Sequence, residues 1–157
     1  MSGDLNLSSL DPTELTELRS TIRAAVSESG YPARARELEA QSQSPGLDSE
    51  LWRLLADDIG IAGVGLPEAA GGLGGLAEIL AVAEELGATL APVPFLASTV
   101  LVGQILAACG DPARPYLERI AAGEIAAAAI TDSAGRVGEP ACVVDGAGLS
   151  GTVRFVA

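Results

Sequence analysis

Carboxylates are the most numerous side chains in this sequence that could transfer a proton. The 157 residues contain 21 Asp and Glu against nine Lys and Arg, which gives a formal net charge of −12. Two pairs, Asp57-Asp58 and Glu84-Glu85, are adjacent in the sequence. Adjacent residues project about 100° apart around a helix, so neither pair converges on one substrate atom. The sequence therefore predicts no catalytic carboxylate dyad.

Histidine is absent from the sequence, and there are two cysteines. The absence of His excludes Ser-His-Asp and Cys-His nucleophiles and every metal site that contains His. Cys109 and Cys142 lie far apart without CxxC spacing, so we expect buried free thiols in a reducing compartment. No residue is assigned as catalytic or as a metal ligand.

The charge and hydropathy patterns limit the class of partner. All nine basic residues are Arg, which indicates a GC-rich bacterial gene, and they form no cluster typical of nucleic-acid binding. The N-terminus lacks the basic start and apolar stretch of a signal peptide. The uncharged run from Leu86 to Gly110 is divided by Pro92 and Pro94, which leaves too short a helix to cross a membrane. We expect a cytoplasmic protein.

Apolar residues at helical spacing predict about five helices, each with start and stop signals. The first begins at the capping box Asp11-Pro-Thr-Glu14 and runs to about Ser27, and the second is capped by Asp48 and ended by Gly60. The third runs from Leu76 to Leu86, with Gly87 as a left-handed residue past its end. The fourth runs from Phe95 to Cys109, and the fifth runs from Asp111 to Gly123. A further helical turn is expected over Ala33 to Ala40.

The same spacing assigns faces to two of these helices. In the third helix, Glu78, Glu84 and Glu85 mark the expected solvent side. In the fifth, the inward residues are expected to be Tyr116, Leu117 and Ile120.

A glycine-rich connector, Gly60 to Gly75, joins the second and third helices. Its glycines allow positive φ and close backbone approach, Pro67 fixes one φ angle, and apolar residues lie between them. A flexible linker would carry Ser and charged residues instead. The connector is therefore predicted to follow one defined, buried path.

After the helices the hydrophobic period changes to that of strands. Ile125–Thr131, Ala141–Val144 and Leu149–Ala157 are apolar runs of strand length, and Asp145-Gly-Ala-Gly148 predicts a hairpin turn. The predicted fold class is α+β: a helical N-terminal domain over residues 1–123, then the first strands of an incomplete antiparallel β-domain over 124–157. Because the last run reaches Ala157, we expect its partner strands outside this sequence.

The order of these motifs resembles the acyl-CoA dehydrogenase family. The resemblance covers about Leu51 to Ala157. It rests on the Leu51–Gly74 helix and proline-glutamate connector, on Glu84-Glu-Leu-Gly87, on Gly110-Asp-Pro-Ala-Arg-Pro-Tyr-Leu-Glu-Arg-Ile-Ala-Ala-Gly-Glu124, and on Leu149-Ser-Gly-Thr-Val-Arg-Phe-Val156, in the family's order and at similar spacing.

The resemblance implies an FAD-dependent oxidoreductase that removes hydrogen from the α and β carbons of an acyl-CoA thioester. It also implies a homo- or hetero-oligomer of acyl-CoA dehydrogenase subunits, with no nucleic-acid or membrane partner. The family's catalytic glutamate lies beyond Ala157, so this chain alone is expected to show no turnover and weak flavin affinity.

The resemblance assigns cofactor-binding roles to Ile130, Thr131 and Phe155. Backbone at Ile130 and the Thr131 hydroxyl correspond to the family's flavin contacts, although a Thr at a strand end also bonds to nearby backbone. Phe155 corresponds to an aromatic beside the flavin ring, and core packing explains it equally well. Ala157 replaces a family Thr and cannot donate its hydrogen bond.

The sequence departs from the family at the turn after Thr131. Where the family has Glu-Pro-Gly-Ala-Gly-Ser-Asp, this chain has Asp132 to Gly138, and Val137 replaces the hydrogen-bonding Ser. Ordinary CoA-ester binding there is in doubt. Arg136 is either a phosphate contact or an exposed arginine without a partner.

Two other functions remain open at this point. The departures at Val137 and Ala157 favour a non-catalytic subunit of a hetero-oligomeric acyl-CoA dehydrogenase. A cofactor-free acidic helical interaction module is the third possibility. Gly103 and Ala107 either leave room for an acyl chain, as the resemblance implies, or are ordinary helix contacts, so no substrate residue is assigned.

Overall fold

The computed structural model describes residues 10–40, 46–132, 134–137 and 142–153. These residues form six α-helices: α1 (Pro12–Glu28), α2 (Ala33–Ala40), α3 (Ser49–Arg53), α4 (Leu76–Ala88), α5 (Gly103–Ala108) and α6 (Arg114–Ala121). A π-helical segment, Leu54–Asp58, extends α3, and another, Phe95–Val102, leads directly into α5. Strands β1 (Cys142–Asp145) and β2 (Gly148–Gly151) pair antiparallel. The α+β fold class is confirmed.

The start of α1 is fixed by its predicted capping box. The Asp11 carboxylate accepts from the amides of Thr13 at 2.7 Å and Glu14 at 3.0 Å, and the Glu14 carboxylate accepts from the Asp11 amide at 2.8 Å. Each bond satisfies an amide that the first turn of a helix leaves without a partner. The turn predicted over Ala33–Ala40 is the complete helix α2.

Asp48 caps α3 and holds two other side chains. Its carboxylate, 3% exposed, accepts from the Leu51 amide at 3.0 Å, the Tyr31 hydroxyl at 2.8 Å and the Arg34 guanidinium at 2.7 Å. Burial raises the pKa of Asp48, but these hydrogen bonds and the Arg34 charge outweigh it and lower the pKa overall. The predicted cap therefore also joins the loop before α2 to α3.

The prediction for the solvent side of α4 is wrong for two of its three glutamates. Glu78 is fully buried and accepts from the Gly75 amide at 2.6 Å and the Leu10 amide at 3.0 Å. Glu85 is 6% exposed and binds Arg23 at 2.7 and 2.9 Å. Leu80, by contrast, is 57% exposed. A charged residue can be buried when specific partners satisfy it, and here α1 and the helix start supply them.

Two other burial predictions are also wrong. Tyr116 is 56% exposed, whereas Leu117 and Ile120 are buried as predicted. Tyr116 is displaced about 100° around the helix from Leu117, which places it at the edge of the buried face. Cys109 and Cys142 are free thiols as expected, but Cys109 is exposed.

The glycine-rich connector follows a defined path, as predicted. The Gly65 amide donates to the Leu73 carbonyl at 2.7 Å, and the Leu73 amide donates to the Gly63 carbonyl at 3.0 Å. A Cβ at Gly72 would overlap the Leu66 carbonyl oxygen, so only glycine allows this close approach. The connector thus folds back on itself through backbone bonds.

Gly87 does not end the third helix, contrary to the prediction. It lies inside α4, and the residue with positive φ is Leu90, at 54°. The bond from the Leu90 amide to the Gly87 carbonyl closes the final turn. A search for glycine misses this end because the left-handed position holds leucine.

The predicted hairpin is confirmed, with β1 and β2 joined through residues 146 and 147. Val144 pairs with Leu149, and both side chains are more than 70% exposed. The prediction of a strand over Ile125–Thr131 is wrong. Thr131 forms an isolated antiparallel bridge with Val137, and the described residues offer that run no neighbouring strand.

In the described part of the chain, no helix is long and apolar enough to cross a membrane.

Replacing Gly72 by Ala is expected to lower the free energy of unfolding by about 3 kcal/mol or more, because the added methyl group meets rigid backbone at Leu66. The matched change Gly87→Ala meets open space within α4 and is expected to raise stability by up to about 1 kcal/mol. Urea denaturation of both variants measures the difference. Equal effects would contradict the connector geometry.

Acid is expected to weaken the contact between α1 and α4 through Glu85. The hydrogen bond from Arg23 lowers the pKa of Glu85 below its ordinary 4.5. A carboxylate with a lowered folded pKa contributes stability above the unfolded value and loses it as pH falls through the folded value. Urea denaturation should therefore show that the native chain loses more stability below pH 4.5 than Glu85→Gln does. Parallel pH profiles would refute this role.

Candidate functional site

The candidate site begins where the chain leaves the helices, at residues 123–132, here called the exit segment. The Trp52 indole N–H donates to the Gly123 carbonyl at 2.9 Å. The Glu124 amide donates to the Arg119 carbonyl at 3.0 Å, and the Ala126 amide donates to Ser98 Oγ at 2.9 Å. Three separate helical segments thus fix the start of the exit segment.

The predicted residues Ile130 and Thr131 lie at the far end of the exit segment. Ile130 is 42% exposed, whereas Thr131 is 9% exposed and bridges to Val137. Among the described residues, no backbone hydrogen bond involves residues 127–130. This stretch therefore presents an unpaired backbone edge next to Thr131. Phe155 and Ala157 lie outside the described residues, so their predicted positions stay predictions.

The turn after Thr131 is organised by Asp132. Its carboxylate accepts from the amides of Ala134 at 2.8 Å and Arg136 at 2.9 Å, and it pairs with the Arg136 guanidinium at 2.8 Å. The Arg136 amide bond is the main cause of the lowered pKa of Asp132. The expectation of an Arg136 without a partner is wrong, because a carboxylate four residues earlier neutralises it. Val137 is 77% exposed and supplies no hydroxyl.

An apolar cleft of about 290 Å³ lies beside the exit segment. Its walls are Val102 and Leu106 on one side, Tyr116 and Ile120 on α6, and Ile125 in the exit segment. Arg119 and Glu124 form an ion pair at this cleft, and the guanidinium lowers the pKa of Glu124. The cleft can take an apolar group and offers few polar contacts.

A larger cleft, of about 680 Å³, lies between the connector, α4 and the helix that ends in α5. Ile79, Val100 and Ala107 line it, and the Gln104 amide donates to the Gly65 carbonyl at 2.8 Å. Gly103 does not leave room for a ligand, because the Leu66 side chain fills the place that a Cβ there would occupy. Gly103 thus contacts the connector rather than another helix, whereas Ala107 does border a cleft.

Comparison with known proteins bears on this arrangement. The family model described as "Acyl-CoA dehydrogenase, N-terminal domain" matches residues 12–124. The chain belongs to the acyl-CoA dehydrogenase family. The match includes the helices that fix the exit segment and ends within that segment.

Curated relatives and solved structures agree with this assignment. The chain is 37% identical over 122 residues to acyl-CoA dehydrogenase IpdE2 of Mycobacterium tuberculosis, which covers 77% of this chain and 37% of the relative. It is 45% identical over 82 residues to acyl-CoA dehydrogenase FadE27 of the same organism, covering 52% and 21%.

Two solved structures have the same fold with a TM-score of 0.71. One is a variant of the Tcur3481-Tcur3483 steroid ACAD, 36% identical, covering 92% of this chain and 41% of that one. The other is the ChsE4-ChsE5 complex from Mycobacterium tuberculosis, 31% identical, covering 89% and 38%. This chain therefore spans less than half the length of these relatives.

Two residues that help to form the site were not singled out from the sequence. Ser98 lies in an apolar run, where its hydroxyl is the signal that could have found it. Trp52 is the single Trp of the chain. A buried indole N–H needs an acceptor, which points to a long-range bond but not to its partner.

The turn at Asp132 is expected to depend on its side-chain oxygens. Asp132→Ala removes the acceptors of the Ala134 and Arg136 amides, so their hydrogen exchange should become about tenfold faster. Asp132→Asn keeps one acceptor oxygen and should retain most of the protection. NMR exchange measures both, with the exposed Asp58→Ala as control. Unchanged exchange in Asp132→Ala would show that the turn holds by other contacts.

Proposed function

We propose that this chain is the N-terminal helical part, with the first strands of the β-domain, of an FAD-dependent acyl-CoA dehydrogenase. The complete protein would oxidise the α,β bond of an acyl-CoA thioester, and this chain alone would show no turnover. The observation that carries the proposal is the family match over residues 12–124, which ends at the start of the exit segment that leads on to Thr131. The similarity to curated acyl-CoA dehydrogenases supports the reaction class.

The residues at the end of the exit segment have the chemistry that a contact with FAD needs. Ile130 is part of an unpaired backbone edge, which can supply amide and carbonyl groups, and Thr131 follows it with a hydroxyl. FAD, when bound, would accept the hydride that leaves the β carbon. The chain's own contribution is to hold Ile130 and Thr131 in place on three helical segments.

The acyl group proposed for the complete protein is bulky and apolar. The clefts beside α5 are lined mostly by aliphatic side chains, which suit a hydrocarbon. One of the two similar structures is that of a steroid ACAD, which supports a steroid-derived thioester as the substrate class. The protein is proposed to work in the cytoplasm, where acyl-CoA thioesters are available.

A second candidate function is that of a non-catalytic subunit. Val137 stands where the family's turn has Ser, and its exposed alkyl group cannot replace that hydrogen bond. Both similar structures, the Tcur3481-Tcur3483 steroid ACAD and the ChsE4-ChsE5 complex, pair two proteins, which supports assembly with acyl-CoA dehydrogenase subunits. In this version the chain supports a partner that binds substrate.

A chimera tests the proposed flavin role. Residues 12–137 of this chain, which include Val137, would replace the matching segment of the IpdE2 relative, and FAD content would be measured by absorbance after purification. We expect the chimera to retain FAD and the Thr131→Val chimera to lose at least about tenfold in FAD affinity, because a buried polar partner is removed.

The control is Thr99→Val in the same chimera. Thr99 is fully buried, and its hydroxyl has no hydrogen-bond partner within the described residues, so the change has the same chemistry without a lost bond. A folded chimera without FAD would refute the flavin proposal. Retained FAD with loss of acyl-CoA oxidation would favour the non-catalytic subunit.

A further inference from the structure

Ser98 makes a bond that differs from those of the other helix hydroxyls. It lies in the π-helical segment and is fully buried. Its Oγ accepts from the Ala126 amide at 2.9 Å and donates to the Glu124 carbonyl at 3.4 Å. The side chain therefore crosses from the helix to the exit segment and contacts both sides of Ile125.

A Ser or Thr hydroxyl in a helix can bond to the carbonyl four residues earlier. In the described part of the chain four hydroxyls do so, namely Thr16, Thr21, Ser29 and Thr89. The hydroxyl of Ser98 bonds instead across 26 to 28 residues of sequence. Its local helical bond is thus replaced by a long-range one.

Among the described residues, the Ser98 bond is the last hydrogen bond that joins the helices to the exit segment before Thr131. Trp52 and Arg119 hold residues 123 and 124, and Ser98 holds residue 126. In the described structure, backbone bonds then stop over residues 127–130. Ala128 is buried in a core cluster with Val102 and Ile120, so packing carries the placement that Ser98 fixes at Ala126 onward toward Ile130 and Thr131.

The placement of the exit segment along its length matters because Ile130 and Thr131 lie in different environments. A shift by one residue would bring the Ile130 side chain to the place that the Thr131 hydroxyl now occupies. Ile130 is half-exposed and Thr131 is buried. One hydrogen bond at Ala126 can thus decide which of the two side chains faces the proposed flavin.

We propose that Ser98 is a positioning residue that fixes the register of the exit segment and thereby orients Ile130 and Thr131. The consequence for flavin binding rests on the proposed function. The effect on register does not, because it concerns contacts within this chain. The two can therefore fail separately.

The test is amide hydrogen exchange and NMR chemical shift on the full chain. Ser98→Ala removes the acceptor of the Ala126 amide, so exchange there should become about tenfold faster, and the amide shifts of Ile130 and Thr131 should move. Thr99→Val is the matched control, since it removes a neighbouring buried hydroxyl that bonds to nothing in the described structure. It should leave all three amides unchanged.

Ser98→Cys provides a conservative variant of similar size. Sulfur is a weaker acceptor, so exchange at Ala126 should lie between the rates of the native chain and Ser98→Ala. The amides of Val26 and Val82 in the main core report global stability. If Ser98→Ala unfolds, as seen by lost protection at both valines, Ser98→Cys decides by the same criteria.

Three results would overturn the proposal. Exchange at Ala126 could stay slow without the hydroxyl, it could rise equally in Thr99→Val, or it could rise while Ile130 and Thr131 keep their shifts. The last result would leave Ser98 as a local support only. Failure of the proposed function would appear instead as a folded chimera without FAD, with the exchange pattern of this chain unaffected.

Discussion

The exit segment depends on a small set of hydrogen bonds that cross between helical segments. The Trp52 indole, the Arg119 carbonyl and the Ser98 hydroxyl bind residues 123, 124 and 126 of this segment, and each lies on a different helical element. A chain that leaves a helical body in extended form loses the local bonds of a helix and requires partners elsewhere. Among the described residues, the helices supply them for residues 123, 124 and 126, and residues 127–130 make no backbone hydrogen bond.

The connector gives the helices the relative placement that these bonds require. Its backbone folds back through the bonds between Gly63, Gly65 and Leu73, and Gln104 ties Gly65 to α5. Leu66 packs where Gly103 has no side chain. The connector thus fixes the helix that carries Ser98. Because protein interiors are close-packed, a displacement of the connector would shift Ser98 and, through its hydrogen bond, Ala126.

Local signals in the sequence predicted those parts that depend on local chemistry. The caps at Asp11 and Asp48 and the hairpin between β1 and β2 each need only neighbouring residues. The connector also followed prediction, because its apolar residues must be buried and its glycines allow the close backbone approach that this burial requires.

Long-range contacts account for the failures. Glu78 and Glu85 read as solvent residues, since nothing in α4 indicates that α1 and the helix start bury them. The strand at Ile125–Thr131 was predicted from its apolar run, yet a strand needs a neighbour, and the described residues offer one bridge, at Val137. The family resemblance located Ile130 and Thr131 but gave no indication of Ser98, whose partner lies 28 residues away.

The most direct measurement is a crystal structure of the chimera with FAD bound. The account predicts that Thr131 Oγ1 lies within about 3.2 Å of a flavin atom and that Ala126 keeps its bond to Ser98. A flavin bound elsewhere, with Thr131 turned into the helical core, would contradict the proposal that the helices hold Thr131 against the flavin.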